Sequence, residues 1–279
     1  MKMILLAVNA LNPDKGSYEF ACYLGRLSKS KVYGIFLNGS EVDEKLILIK
    51  KEGAFATHSG SEDHSDLYIT KKETIKNNIH LFKEGCISNE VCNDVYSDHE
   101  VSVDDLINES RFADMIVVDA ALSLGSVPST APSEIVKDIL KKANCPVIIS
   151  PLSFDGIEEL IFTYNGSLSS VFAIKQFTYL FPEYFDKRVT VVQVNKDGIW
   201  PYKDKEKLKE WLKNHYSDLH FLALEGNTES ELMSFLFRRE NMFIVMGAYS
   251  RNALSQFFSE STAEILIKTL TQPIFISHH

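Results

Sequence analysis

Short runs that are apolar or β-branched at nearly every position alternate along the chain with segments whose apolar residues recur every three or four positions. Met3 to Val8 and Val32 to Leu37 are such runs, and between them Phe20, Leu24 and Leu27 fall on one helical face. The same alternation returns later, with Leu160 to Tyr164, then Phe172, Ile174, Phe177 and Leu180 at helical spacing, then Val189 to Val194. A strand that is apolar at every position has both faces buried, which is the condition of a parallel sheet covered by helices on both sides. The pattern predicts an α/β fold.

The alternation is also duplicated. Asp114 to Ser150 aligns without a gap on Asn241 to Ser277, pairing Met115 with Met242, Ser123 with Ser250, Lys141 with Lys268, Pro146 with Pro273 and Ser150 with Ser277. Each copy reads as a strand, a polar loop, a helix, a proline and a second strand. The copies also begin alike, one first strand ending in Asn9 and the other in Asn165. The crossover helix of the second copy is expected at Lys203 to Tyr216, with Leu208, Trp211, Leu212 and Tyr216 on one face, leading into a strand at Leu219 to Leu224. In the first copy the helix is expected at Lys71 to Lys83, with Ile75, Ile79 and Phe82 inward, before a weaker strand at Val91 to Tyr96. Gly53 to Asp66 has no periodicity and many loop formers, so the stretch from about 41 to 70 reads as an inserted mobile loop. The boundary falls near Pro151 to Gly156, giving domains 1–152 and 156–279 that pack on each other across a short linker.

Composition narrows the function classes. A chain of 279 residues, 45% hydrophobic and 24% charged, is long enough for two ordinary globular cores. Its 29 basic against 38 acidic residues, net charge -9, argue against a nucleic-acid or anionic-membrane binder, because phosphate repels such a surface. The apolar run at Met3 is too short for a secretory signal, which needs about 7–15 apolar residues, and no run approaches the roughly 20 of a membrane span. Cys22, Cys86, Cys92 and Cys145 form no CxxC pair, so they read as small apolar side chains in a reducing compartment, and the expected location is the cytoplasm.

Ligands of an open parallel sheet sit beyond the carboxyl ends of its strands, where strand order reverses. In the second copy those ends are Asn165-Gly166-Ser167, Val194-Asn195 and Gly247 to Ser250, and the last loop leads to Ser261 and Thr262. Ser261 followed by Glu264 has capping-box spacing, so a helix N-terminus that favours an anion opens there; the alternative is that Ser261 only caps its helix. His58 and His64 with Glu62, Asp63 and Asp66 are metal-ligand types without a cage spacing, and read as a solvated loop. No serine lies in GxSxG and no cysteine has a nucleophile signature, so neither a catalytic group nor a metal is expected.

These features resemble the universal stress protein family in its tandem form, over nearly the whole chain apart from the inserted loop and the linker. The resemblance implies two similar doubly wound open parallel sheets of the adenine nucleotide alpha hydrolase-like kind, with strand order 3-2-1-4-5. ATP-binding members carry an Asp at the end of the first strand, often as DGS, and a GxxG, nine residues, then G[ST] loop around the phosphates. Asn165-Gly166-Ser167 stands at the DGS position with Asn for Asp, Gly247 matches the first glycine, Ser250 and Glu260 replace the second and third, and Ser261 keeps the hydroxyl. Asn165 and Val194 are thereby implied to border base and ribose, and Gly247, Ser250, Ser261 and Thr262 the phosphates, with Gly166 and Ser167 also counted among the nucleotide-binding residues.

Two departures weaken that site. Glycines let a phosphate loop approach its ligand and adopt positive φ, and two of the three are gone. A Glu260 carboxylate at roughly 4 Å from a phosphate costs about 4 kcal/mol at an effective dielectric near 20, close to a thousandfold in affinity, unless it swings into water. The expectation is at most a weakened ATP or AMP site in the second domain. In the first, Asn9, Ala120, Ser123, Ser133 and Glu134 occupy the motif positions without a glycine, and no ATP is expected.

The function implied is a stress-response binding or regulatory protein. The alternatives are an interaction scaffold that binds no nucleotide and serves an unidentified protein partner, and, behind both, an ATP-using enzyme or weak ATPase. The resemblance also implies pairing through the last strands, Val147 to Ile149 with Ile274 to Ile276, inside one chain, with a homodimer as a further state.

Overall fold

Runs with both faces apolar all enter one sheet. The computed structural model describes residues 2–38, 63–97, 101–124, 131–247 and 271–277. Its strands are β1 (Met3–Asn9), β2 (Lys31–Leu37), β3 (Asn93–Val95), β4 (Met115–Val118), β5 (Val147–Ile149), β6 (Glu159–Thr163), β7 (Arg188–Asn195), β8 (Asp218–Glu225), β9 (Met242–Gly247) and β10 (Ile274–Ser277). The ten strands lie in the order β3-β2-β1-β4-β5-β10-β9-β6-β7-β8. Read outward from the middle, each half repeats the order expected for the fold. All the pairings are parallel except one. That exception is the seam, where β5 and β10 run antiparallel with Ile274 opposite Ile149, Phe275 opposite Ile148 and Ile276 opposite Val147. The last-strand pairing expected from the sequence is present within the chain.

The helices are α1 (Lys15–Leu27), α2 (Asp63–Ser88), α3 (Val103–Glu109), α4 (Glu134–Lys142), α5 (Leu168–Leu180), α6 (Tyr202–Leu212) and α7 (Thr228–Leu236). Alternate strand residues feed two apolar layers. On one face Ile4, Leu6, Val8, Met115, Val117, Ile148, Phe275, Phe243, Val245, Leu160 and Phe162 meet α1, α2, α5 and α6. On the other Leu5, Ala7, Ile116, Val118, Val147, Ile149, Ile274, Ile276, Ile244 and Ile161 meet α3, α4 and α7. Each layer holds residues of both halves, so the apolar layers continue across the seam while each half repeats the topology. Other contacts cross the junction too. The Tyr23 and Tyr184 hydroxyls are 3.1 Å apart, the Leu152 N–H donates to the Thr271 carbonyl at 3.2 Å, and Lys2 Nζ donates to the Leu180 carbonyl.

Several boundaries differ from the sequence reading. Helix α2 starts at Asp63, not Lys71, so 63–70 is helical although it was expected in the loop; 41–62 lies outside the described residues. Its first turns group their apolar residues as Leu67, Tyr68 and Ile69 in succession, with no stripe at helical spacing to mark a helix. Strand β3 is shorter than Val91 to Tyr96, and α6 ends at Leu212, four positions short of the expected Tyr216, because a turn carries Tyr216 into the core. Helices α3 and α7 were not anticipated. Both are short, but both are capped: Ser102 forms a full capping box with Asp105, and Asn227 accepts from the Glu229 and Ser230 N–H groups.

Candidate functional site

Strand order reverses twice, between β1 and β4 and between β6 and β9, and the carboxyl ends of each pair are where an open parallel sheet is expected to offer a ligand crevice. At the second reversal the chain leaves β6 through buried Tyr164 and turns at Asn165. The exposed Asn165 side chain folds back, its Oδ1 accepting from the Ser167 N–H at 3.0 Å. Gly166 makes the turn possible: its φ is +80°, and a Cβ there would meet nothing within 4 Å, so backbone conformation is what requires glycine. Ser167 then caps α5, its Oγ accepting from the Ser170 N–H at 3.2 Å.

Parallel pairing places the other expected residues on either side. On one flank Phe162 is in register with Val245, which brings the end of β9, Gly247, beside the Asn165 turn. On the other Thr163 is in register with Val192, and half-buried Val194 lies at the end of β7. Asn165, Gly166, Ser167, Val194 and Gly247 are thus gathered at one end of adjacent strands. Ser250, Glu260, Ser261 and Thr262 lie outside the described residues.

Gly247 has a structural reason of its own. A Cβ there would sit 2.4 Å from the Ser169 carbonyl carbon and 2.6 Å from the Ser170 nitrogen, both backbone atoms of the first turn of α5. The glycine therefore lets α5 close on β9, independently of any ligand.

The sequence reading did not identify Trp200 as a neighbour of this crevice. Its ring stacks on Tyr164, centroids 5.2 Å apart and planes 20° apart, and its buried Nε1 has no hydrogen-bond partner among the described residues. Asn195 shapes the loop that delivers it, accepting from the Asp197 and Ile199 N–H groups at 3.2 and 3.3 Å and donating to the Ile199 carbonyl at 2.7 Å. The signal available in the sequence was the Asn-Lys-Asp-Gly turn directly after a strand.

The first reversal differs in chemistry. A cavity of about 270 Å³ opens there, bounded among others by Asn9, Asp14, Lys15, Asp119 and Ser123. Asn9 is buried and bridges the two strand ends: its Oδ1 accepts from the Leu11 and Asn12 N–H groups at 2.8 and 3.1 Å, and its Nδ2 donates to the Ser123 carbonyl at 2.8 Å. Asp14 caps α1 through the Ser17 N–H and Oγ at 2.7 and 2.9 Å. Ser133 caps α4 through the Val136 N–H at 3.2 Å, which gives that motif position a helix-capping role. Asp14 and Asp119 outnumber Lys15 on the cavity wall, a charge balance that opposes a phosphate.

Asp119 holds its proton above the usual carboxylate range, because burial penalises the charge and Asp14 adds like-charge repulsion. The sign follows from proton uptake. With the folded-state value raised, the folded protein binds a proton that the unfolded chain does not, in the window between the two values, so the penalty is fully present above the folded value and is relieved as pH falls through it. Asp119→Asn is therefore expected to raise the urea midpoint at neutral pH and to lose that advantage in acid. Equal midpoints at neutral pH would show that the ionised carboxylate carries no such penalty.

The His58 cluster lies outside the described residues, and so does the His64 side chain. Among the described residues no group of three or more His, Cys, Asp or Glu side chains is arranged to hold a metal ion, and no helix is long and apolar enough to cross a membrane.

No protein-family model and no curated protein matches the chain. Solved structures do. A universal stress protein from Archaeoglobus fulgidus DSM 4304 is similar at a TM-score of 0.71 with 14% identity, over 99% of this chain and 98% of that one. A Pseudomonas aeruginosa UCBPP-PA14 protein provisionally assigned to the universal stress proteins gives 0.58 with 11% identity, over 100% and 93%. A functionally unknown protein from Pseudomonas aeruginosa PAO1 gives 0.56 with 11% identity, over 100% and 92%. Over nearly its full length, the chain takes the fold of the universal stress proteins.

Proposed function

We propose that the chain is a stress-response binding or regulatory protein of two like domains, 1–152 and 156–279, whose second domain takes an adenine nucleotide weakly, as ATP or AMP, beyond the ends of β6 and β9. The observation that carries this reading is the contrast between the two reversals. Asn165 is exposed at the turn that opens the second crevice, while its counterpart Asn9 is buried and spans the first. Asn165 and Val194 border base and ribose, and the chain beyond Gly247, with Ser250, Ser261 and Thr262, carries the phosphates. Binding is weak because that stretch lacks two of the three motif glycines and adds Glu260.

Calorimetric titration with ATP, ADP and AMP, with and without magnesium, tests this. One saturable site per chain is expected, and Asn165→Asp and Glu260→Gly are each expected to tighten it by about tenfold or more, since one removes a departure from the family motif and the other removes a charge. A second reading, an interaction scaffold without nucleotide, is favoured by the packing role of Gly247, which accounts for that glycine without a ligand. The absence of binding at about millimolar nucleotide in all three proteins would leave the scaffold standing.

A further inference from the structure

The Cys22 and Cys86 sulfurs lie 3.7 Å apart, the first on α1 and the second on α2. Both are buried, at 5% and 0% exposure. In the second half a hydroxyl contact joins the first helix to the segment after the second instead, Tyr216, beyond the end of α6, donating to Thr178 Oγ1 of α5 at 3.0 Å. We propose that Cys22 and Cys86 are a reversible oxidation site, closing to a disulfide when a hydroperoxide reaches them.

Sulfurs already in contact need to approach by less than about 2 Å to reach bonding distance near 2.05 Å, a shift within the reach of two packed helices. The pair is also asymmetric. The contact with Cys86, followed by the nearby Arg26 charge, favours the Cys22 thiolate against its burial, whereas Cys86 is held protonated. Cys22, the more exposed of the two, is therefore the sulfur that reacts first. Its thiolate attacks one peroxide oxygen, the O–O bond breaks, and the products are a Cys22 sulfenic acid and hydroxide. Cys86 gives its proton to that hydroxide and its sulfur then attacks the Cys22 sulfur, the sulfenic oxygen leaving as water, so that two thiols and one hydrogen peroxide give one disulfide and two waters. A dithiol such as a reduced cellular thiol carrier reverses the step by exchange.

The neighbours give the link a consequence. Helix α2 already holds the turn after β1, with Asn78 Nδ2 donating to the Ala10 and Leu11 carbonyls at 2.8 and 3.3 Å, and the cap of α1, Asp14, lines the first-half cavity. Oxidation fastens together the two helices that support that wall. The remaining cysteines serve as internal controls: Cys92 is exposed, and burial pushes the Cys145 thiol up to about 12.

The test uses the full chain, exposed to a small excess of hydrogen peroxide, quenched and alkylated in denaturant. Alkylatable thiols are expected to fall from four to two, with intact mass lower by two hydrogens, a Cys22–Cys86 linked peptide on digestion, and recovery in dithiothreitol. The Cys92→Ser variant is expected to yield the same linked peptide. Four alkylatable thiols after treatment, or products confined to oxygen adducts on Cys92 and Cys92-linked dimers, would overturn the proposal.

Discussion

Phe177→Ala is expected to lower the free energy of unfolding by about 3–5 kcal/mol, read as a fall in urea midpoint without a change in its slope. Phe177 is fully buried on α5, and its ring meets Phe162 of β6 at 5.8 Å, Phe243 of β9 at 5.0 Å and Phe275 of β10 at 5.3 Å. Phe181 and Tyr184 close the cluster at 5.0 and 6.1 Å. Rigid rings held by three strands of one sheet refill a vacated volume poorly, so the transfer loss and the cavity add. Because Phe275 belongs to the seam, the same substitution loosens the junction between halves. A loss below about 1 kcal/mol would mean that the cluster collapses into the gap, and would contradict the packing described.

The second large effect is at Gly247. Gly247→Val is expected to destabilise by about 1–3 kcal/mol or more, because the obstacle to its Cβ is the backbone of Ser169 and Ser170, which no side-chain rotation relieves. Even Gly247→Ala is expected to lower the thermal midpoint, since Cβ alone falls 2.4 Å from a carbonyl carbon. This separates two roles that a phosphate-loop glycine confounds. A variant that loses nucleotide binding and stability together says nothing about phosphates, which is why Asn165 and Glu260 are the positions that report on the ligand. A Gly247→Ala protein as stable as the parent would show that α5 does not close on β9 as described.

Strands with both faces covered were the most legible part of the chain, since Ile4 and Leu5, or Val117 and Val118, feed opposite apolar layers and leave an unbroken apolar run. The repeated strand order was legible for the same reason. Helix α3 was not, because Leu106 is its one buried residue and a single position has no period; its Ser102 to Asp105 box was the readable signal. The first turns of α2 hid for want of apolar residues at helical spacing, and β3 in Asn93 and Asp94. The fusion of the apolar layers across the seam was only half visible: the sequence showed two short apolar last strands, and tertiary pairing decided that they share one sheet.

At the site, the strand-end and turn positions of Asn165, Gly166, Ser167 and Val194 were legible, because these depend on local chain geometry; their part in holding a ligand is the proposal above. The long-range facts were out of reach. The approach of α5 to Gly247, the bridge from Asn9 to Ser123, the stack of Trp200 on Tyr164 and the contact of Cys22 with Cys86 each join segments far apart in the chain.

Whether the second half and not the first holds the nucleotide is measured most directly by photolabelling the intact chain with an azido-adenine nucleotide and mapping the labelled peptides. Label competed by unmodified ATP is expected on peptides containing Tyr164 to Ser167 and Val194 to Trp200. Competed label on peptides containing Asn9 or Ser123, or no competed label at about millimolar nucleotide, would contradict the assignment.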